Sequence, residues 1–457
     1  MTDTAVGTVR RDPPEESTPT PRPGRGRLML AVLVLLTGFT LVLGYANKAR
    51  CVGPEFDAAG RSEPDYQKRV DYDVCYSDIQ ELWLGRDVDQ HVFPYVNGSI
   101  TPDGKLVGGS VEYPVLTGLL IWAGALFAHD DGEFLLYSAL LMAPFGLLTG
   151  WMLGRLARWR ALLWALGPPL VLYAFHNWDL PVVACAVGAV FAVHGGRAGS
   201  RWAERPLVDR ASVAAVLLGL GFALKLYPGA FVLPLALYVL TAGRGGLDWR
   251  GALRVCVLAA GTAVLVNLPF AVAGYDGWRA AFTFQQLRKV DLTTNSIWYW
   301  GYRPLSEPTN VEFQATMDVL SPSLVLGSFL LACAAGCWRW RRTGSYPWTG
   351  VSAAMLCGFL LLHKVHSPQY TLWLLPFFVL LAVPWGWVAA YLVADVVMGI
   401  GIFRWFYVFD NHLDTGIQAG FAAQAVAIGV WGRAVLLVVL FVMFLRLPEA
   451  RGLRERQ

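Results

Sequence analysis

Apolar runs of near-spanning length recur from Leu28 to the C-terminal end of the chain, and this recurrence limits the fold more than any other feature. A bilayer core is crossed by roughly 20 apolar residues of helix, because only helices and closed barrels satisfy their own backbone groups in hydrocarbon. A length of 457 residues would otherwise suggest about three soluble domains. Only 15% of the residues are charged, against roughly 25% in soluble domains. The reading is therefore one all-α polytopic membrane domain, in contact with the lipid bilayer. Basic residues lie in short loops between apolar runs rather than on one face, which excludes nucleic acid as a partner.

Charge placement orients the helices. Residues 1–27 carry Pro13, Pro14, Pro19, Pro21 and Pro23 with few apolar residues, a composition expected to form a disordered cytosolic tail. Arg22, Arg25 and Arg27 precede the run Leu28 to Ala46 and place the N-terminus inside. Later arginine clusters, at Arg155/Arg158/Arg160, Arg197/Arg201/Arg205/Arg210, Arg244/Arg250/Arg254, Arg339/Arg341/Arg342 and Arg446/Arg451/Arg454/Arg456, mark further cytosolic turns. The count is about twelve transmembrane helices with both termini inside, the last crossings being bounded near Arg404 and Trp431. A single transmembrane domain then covers 28–447, with a first extracytoplasmic loop at 47–133, a second large one at 275–319 and a cytosolic tail at 448–457. The run Val115 to Ala128 is short for a span and is read as a helix lying in the outer interface.

The first loop holds Cys51 and Cys75, the only cysteines on its side by this topology. A disulfide between them and two free thiols both remain open. The other five cysteines fall in apolar runs without ligand partners and read as packing residues, so no metal site is expected.

Polar residues sort by side. All six lysines (Lys48, Lys68, Lys105, Lys225, Lys289 and Lys364) fall outside or at outer ends of spans, against the positive-inside trend. The acids and histidines that interrupt apolar runs gather there too, and ionisable groups at membrane depth mark sites. Four segments stand out: Asp71 to Ile79, Glu112-Tyr113-Pro114, Asn177-Trp178-Asp179-Leu180, and His363 to Tyr370. Plainer readings stand beside these. Pro114 suits a first helical turn, Asn177 or Asp179 suits a helix cap, and most Trp and Tyr belong to interfacial belts.

An outward cavity with carboxylates, lone cations and aromatic rings suits a lipid-linked sugar phosphate. The cation stabilises charge on the departing phosphate, and a carboxylate takes the proton from an attacking hydroxyl. There is no glycine-rich nucleotide loop, so the donor is expected to be lipid-linked rather than a nucleotide sugar.

The order Tyr76-Ser77-Asp78, Pro94-Tyr95, Glu112-Tyr113-Pro114, Asn177-Trp178-Asp179-Leu180, Lys225-Leu226-Tyr227-Pro228 and Ser367-Pro368-Gln369-Tyr370 resembles glycosyltransferase family 87, of the C-type superfamily. The resemblance covers most of the chain after residue 28. It implies a C-type fold with outer juxtamembrane helices in the first loop, matched here by Asp78 to Leu84 and Val115 to Ala128. It also implies an inverting, metal-independent transferase without cofactor that takes a hexose, often mannose, from a polyprenyl-phosphate donor. The family's catalytic aspartate carries over to Asp78, with Asp73 second, and the late-turn histidine to His366. Substrate contacts are expected from Tyr76, Glu112, Tyr113, Asn177, Asp179, Gln369 and Tyr370, and phosphate contacts from Lys225, Lys364 and Arg303. The acceptor is expected to be a glycolipid or cell-envelope glycan at the outer face of the plasma membrane. The competing class is a secondary transporter or lipid-carrier flippase without catalysis, for which internal repeats would be the sign; none stands out.

Overall fold

A computed structural model describes residues 23–449 apart from 197–199, 244, 304–305 and 307. The expected disordered tail lies outside the described residues up to residue 22, as do residues 450–457 and the arginines Arg197 and Arg244. The regular structure of the remainder is almost entirely helical.

The first long helix, α1 (Pro23–Ala49), leads into a loop that carries two small hairpins, β1–β2 (Glu55–Phe56, Ser62–Glu63) and β3–β4 (Ser99–Ile100, Leu106–Val107). The same loop holds three short helices, α2 (Tyr66–Tyr72), α3 (Asp78–Leu82) and α4 (Val115–Ala125). The bundle resumes at α5 (Asp131–Ala157) and continues through α6 (Leu162–Ala165), α7 (Pro168–Tyr173), α8 (Leu180–His194), α9 (Leu207–Leu224), α10 (Tyr227–Ala230), α11 (Val232–Thr241) and α12 (Trp249–Ala273). It closes with α13 (Tyr275–Leu287), α14 (Ile297–Gly301), α15 (Val311–Thr343), α16 (Trp348–Leu362), α17 (Thr371–Leu380), α18 (Trp385–Asp410) and α19 (Phe421–Arg446).

Among the described residues, seven helices are long and apolar enough to cross a membrane, and four shorter apolar ones accompany them. Three short helices, α8, α16 and α17, form the centre. All ten residues of α17 are buried, as are most of α8 and α16. In α12, by contrast, 11% of the most apolar window is buried, so its side chains are left to face lipid.

Close packing is set by small residues. Gly146, Gly150 and Gly154 recur every fourth position along α5, so they share one face against α1. A Cβ on Gly150 would meet Thr37 Oγ1 at 2.5 Å, and one on Gly154 would meet Leu33 Cδ1 at 2.8 Å. Small residues at this spacing let helix backbones approach where lipid supplies no hydrophobic drive.

The two ends of the bundle differ. At one end Arg160 donates to the carbonyls of Phe378 (2.8 Å) and Leu381 (3.0 Å), and Arg339 to that of Leu445 (2.7 Å). These arginines satisfy carbonyls that α17 and α19 leave free at their C-termini. At the opposite end lie the C-termini of α1, α9 and α16 and the N-termini of α8 and α17, and there the polar residues meet.

The first loop is tied down at several points. Cys51 and Cys75 are joined in a disulfide with Cα atoms 6.0 Å apart. Ser77 caps α3 by accepting from Ile79 N (3.2 Å) and donates to Phe175 O (2.7 Å). Arg61 pairs with Asp131 at 3.1 Å, fixing the first hairpin to the start of α5.

One set of expected edges is displaced. Arg404 and Trp431 were read as the limits of the last crossings, yet both sit inside helices, α18 and α19. Arg404 is accommodated because its guanidinium lies 4.1 Å from the ring centroid of Tyr72 on α2, a cation–π contact that a span edge would not require.

Candidate active site

A cavity of about 900 Å³ opens at the polar end. Its polar lining includes Tyr76, Asp78, Glu112, Tyr113, Asn177, Lys225, Gln369 and Tyr370. Its apolar lining includes Ala281, Phe282, Val325, Phe329, Met355, Leu356 and Phe359 from α13, α15 and α16.

Asp78 begins α3, and its backbone N–H donates to His176 O at 2.8 Å, joining the first loop to the turn before α8. Its carboxylate accepts from Asn177 Nδ2 at 2.5 Å. The same amide donates to the Tyr113 hydroxyl at 2.7 Å. Asn177 Oδ1 accepts from Trp178 N (2.6 Å) and Lys225 Nζ (3.1 Å). Both amide hydrogens and both lone pairs are thus used, and the amide orientation follows, since a flipped amide would turn NH₂ toward an ammonium. Lys225 continues to Asp179 Oδ1 at 2.6 Å, which also accepts from Trp373 Nε1 at 2.7 Å. The result is a chain from Asp179 through Lys225 and Asn177 to Asp78. Asp179 occupies the N-cap position of α8 but makes no side-chain cap bond, so its carboxylate serves Lys225 instead.

Aromatic rings form part of the cavity wall. Tyr370 stacks on Trp373 at 3.9 Å between centroids, Trp373 on Tyr227 at 4.3 Å, and the Lys225 ammonium sits 5.4 Å from the Trp373 centroid. Glu112 pairs with Arg86 at 3.1 Å.

Burial pushes the Asp78 carboxyl up to about 6, while hydrogen bonds from Asn177 and Tyr76 and the charge of Lys225 hold it from rising further. Asp71, on α2, is pushed up to about 7, first by burial and then by the facing Asp410 and Glu81.

Several expected residues lie elsewhere. Asp73 is exposed at the end of α2 and does not line the cavity. His366 is 2% exposed and turns inward, Nδ1 to Leu360 O at 3.2 Å, so its neighbour His363 lines the cavity in its place. Lys364 points away to Asp318 (2.5 Å), and Arg303 is held between the rings of Trp300 and Trp405, 5.3 Å from each centroid. Asp179 is buried behind Lys225 rather than lining the cavity.

Other groups take part that the motifs did not single out for this role. Arg288 lines the cavity with no carboxylate partner among the described residues. Lys48, 2% exposed, donates to Tyr76 O at 2.6 Å and lies 3.4 Å from His176 Nδ1, which positions the segment leading to Asp78. A lysine at the end of the first span signals this role in the sequence, whereas Arg288 follows an amphipathic helix and carries no such signal. Among the described residues, no group of three or more His, Cys, Asp or Glu could hold a metal ion.

Fold and site together define a polytopic helical membrane protein with a carboxylate-bearing cavity at one end of its bundle. The family model of Glycosyltransferase family 87 matches residues 112–368, more than half of the chain, so the chain belongs to this family of membrane glycosyltransferases. The match begins at Glu112 and ends within the Ser367–Tyr370 motif; Asp78 precedes it. The crystal structure of ArnT from Cupriavidus metallidurans bound to undecaprenyl phosphate is similar, with 15% sequence identity and a TM-score of 0.41, covering 92% of this chain and 77% of that one. No curated protein matches the sequence.

Proposed function

We propose that this protein is an inverting, metal-independent transferase that moves a hexose, mannose foremost, from a polyprenyl phosphate to a hydroxyl of a glycolipid or cell-envelope glycan. The observation that carries the reading is the junction of two environments. Asp78, half-buried and held by Asn177 and Tyr76, lines a cavity whose wall also carries enough apolar side chains for a prenyl chain.

In this reading the prenyl tail lies along Phe282, Phe329 and Phe359, and the phosphate meets Arg288, which has no protein carboxylate to neutralise it. Arginine suits a phosphate because its planar fork offers paired donors. The hexose rests against the Tyr370 and Trp373 wall. The acceptor oxygen attacks the anomeric carbon from the side opposite the phosphate as Asp78 takes its proton. The bond from that carbon to the phosphate oxygen breaks, and polyprenyl phosphate leaves with the electron pair, its developing charge stabilised by Arg288 and by Lys225, which line the same cavity. A single displacement inverts the anomeric configuration. The clustering of arginines at the opposite end of the bundle supports a cytosolic location for that end, and hence a site at the outer face of the plasma membrane with both termini inside.

The test is transfer from a polyprenyl-phosphate hexose by the purified protein and by Asp78→Asn. Loss of turnover by roughly a hundredfold to ten-thousandfold is expected for removal of a general base. Retained turnover would remove Asp78 from the mechanism. Chelator treatment is expected to leave the rate unchanged.

A further inference from the structure

Beside the main cavity, and sharing a wall with it, lies a smaller vestibule of about 500 Å³. Its shared wall consists of Gln67 and Glu81, which line both spaces. Glu81 is one turn after Asp78 on α3, so the two carboxylates occupy the same helix face. A molecule seated in the vestibule is therefore one helical turn from the carboxylate that takes the proton.

The lining is polar and of mixed sign: Arg61 and Lys68 stand with Glu63, Asp65 and Glu81. An anion would meet more carboxylates than cations here, and the lining has no apolar strip for a lipid tail. Hydrogen bonding is what the surface offers. Tyr66 is 6% exposed and lines the space, yet its hydroxyl has no partner among the described residues. Arg61 covers its ring at 4.5 Å and the ring packs on the Cys51–Cys75 pair, so the hydroxyl is its one free group. Glu81 Oε2 is buried without a partner as well. Native proteins leave few buried polar atoms unpaired, and two in adjoining positions of one wall point to a ligand that both donates and accepts.

We infer that this vestibule seats the polar head of the acceptor, a neutral polyhydroxylated group such as a sugar or polyol, and passes one of its hydroxyls across the Gln67–Glu81 wall to Asp78. Each hydroxyl of such a group is both donor and acceptor, as Tyr66 and Glu81 require. The inference rests on the transferase reading above, which assigns the main cavity to the donor.

The test uses the full chain in lipid nanodiscs, with octyl α-mannopyranoside as acceptor probe and undecaprenyl-phosphate mannose as donor. Tyr66→Phe keeps the ring and removes the hydroxyl, and Gln67→Leu removes the amide from the shared wall. Each is expected to raise the KM for the glycoside about tenfold, the loss of roughly one hydrogen bond, and Tyr66→Phe, which touches the vestibule alone, to leave the donor KM unchanged. Saturation-transfer NMR of the glycoside, which needs no turnover, is expected to weaken in both variants. An unchanged glycoside KM and NMR signal in both variants, alongside transfer that depends on Asp78, would overturn the seat and leave the transferase reading standing. Glycoside binding that weakens in both variants, in a wild-type protein that transfers no sugar, would uphold the seat and end that reading. A parallel rise in donor KM in Tyr66→Phe would overturn the division between the two spaces.

Discussion

Asn177 is the residue on which the local account turns, because its single amide serves Asp78, Tyr113 and Lys225 together. Its bond to Asp78 favours the ionised carboxylate. The pH–rate profile is therefore expected to rise through about pH 6 as Asp78 loses its proton, and to stay high above it. Replacing Asn177 with Ala removes a stabiliser of the charged form, so the acid limb should move upward. Asp71 titrates near the same range, at about 7, and Asp71→Asn separates the two: the limb near 6 should persist in that variant and vanish in Asp78→Asn. Steady-state kcat/KM across pH 4.5 to 8.5 reads both. At this scale the sequence was partly legible. Tyr76, Asp78, Glu112, Tyr113, Asn177, Lys225, Gln369 and Tyr370 share the cavity, because short polar motifs interrupting apolar runs have few other roles. His363 and His366 were not separable, since a turn of irregular backbone gives no period from which to read which ring faces inward. Arg288 is expected to control donor affinity, and Arg288→Ala should raise the donor KM while leaving glycoside binding by NMR intact.

Between elements, the Asp179–Lys225 pair ties the start of α8 to the end of α9, with side chains 0% and 10% exposed. Removing one member of a buried pair strands the other charge, at a cost of roughly 3 to 5 kcal/mol. Lys225→Met is thus expected to lower the thermal midpoint sharply. The double variant Asp179→Leu with Lys225→Met should recover much of that stability without recovering activity, because Asn177 Oδ1 still lacks its lysine. The Cys51–Cys75 bridge closes a loop with a sequence separation of 24, and constraining a loop of that order is worth roughly 3 kcal/mol. Reduction should therefore loosen the first loop before the bundle, measurable as faster hydrogen exchange in α2 and α3. The long helices were legible from apolar length alone. The short central ones were not, because α8, α16 and α17 are surrounded by other helices and need not match the bilayer thickness individually. Helical lengths fixed by protein neighbours escape a rule written for lipid.

Across the whole molecule, charge is divided by end. Arginines close helix termini at one end, whereas Asp78, Glu112, Lys225, His176 and His363 line the cavity at the other. The sequence disclosed this division, since it depends only on where charges interrupt apolar runs; the pairing of particular charges depends on helix packing and did not show. On the proposed reading, the apolar lining from α13, α15 and α16 takes the donor's prenyl chain, and the vestibule takes the acceptor's head. The most direct test of the central claim is a proteoliposome assay with radiolabelled polyprenyl-phosphate hexose and a glycoside acceptor, comparing wild type with Asp78→Asn. The account predicts one polyprenyl phosphate released for each glycoside formed, with both products lost in the variant. Movement of intact donor across the bilayer without glycoside formation, or equal product from both proteins, would contradict it.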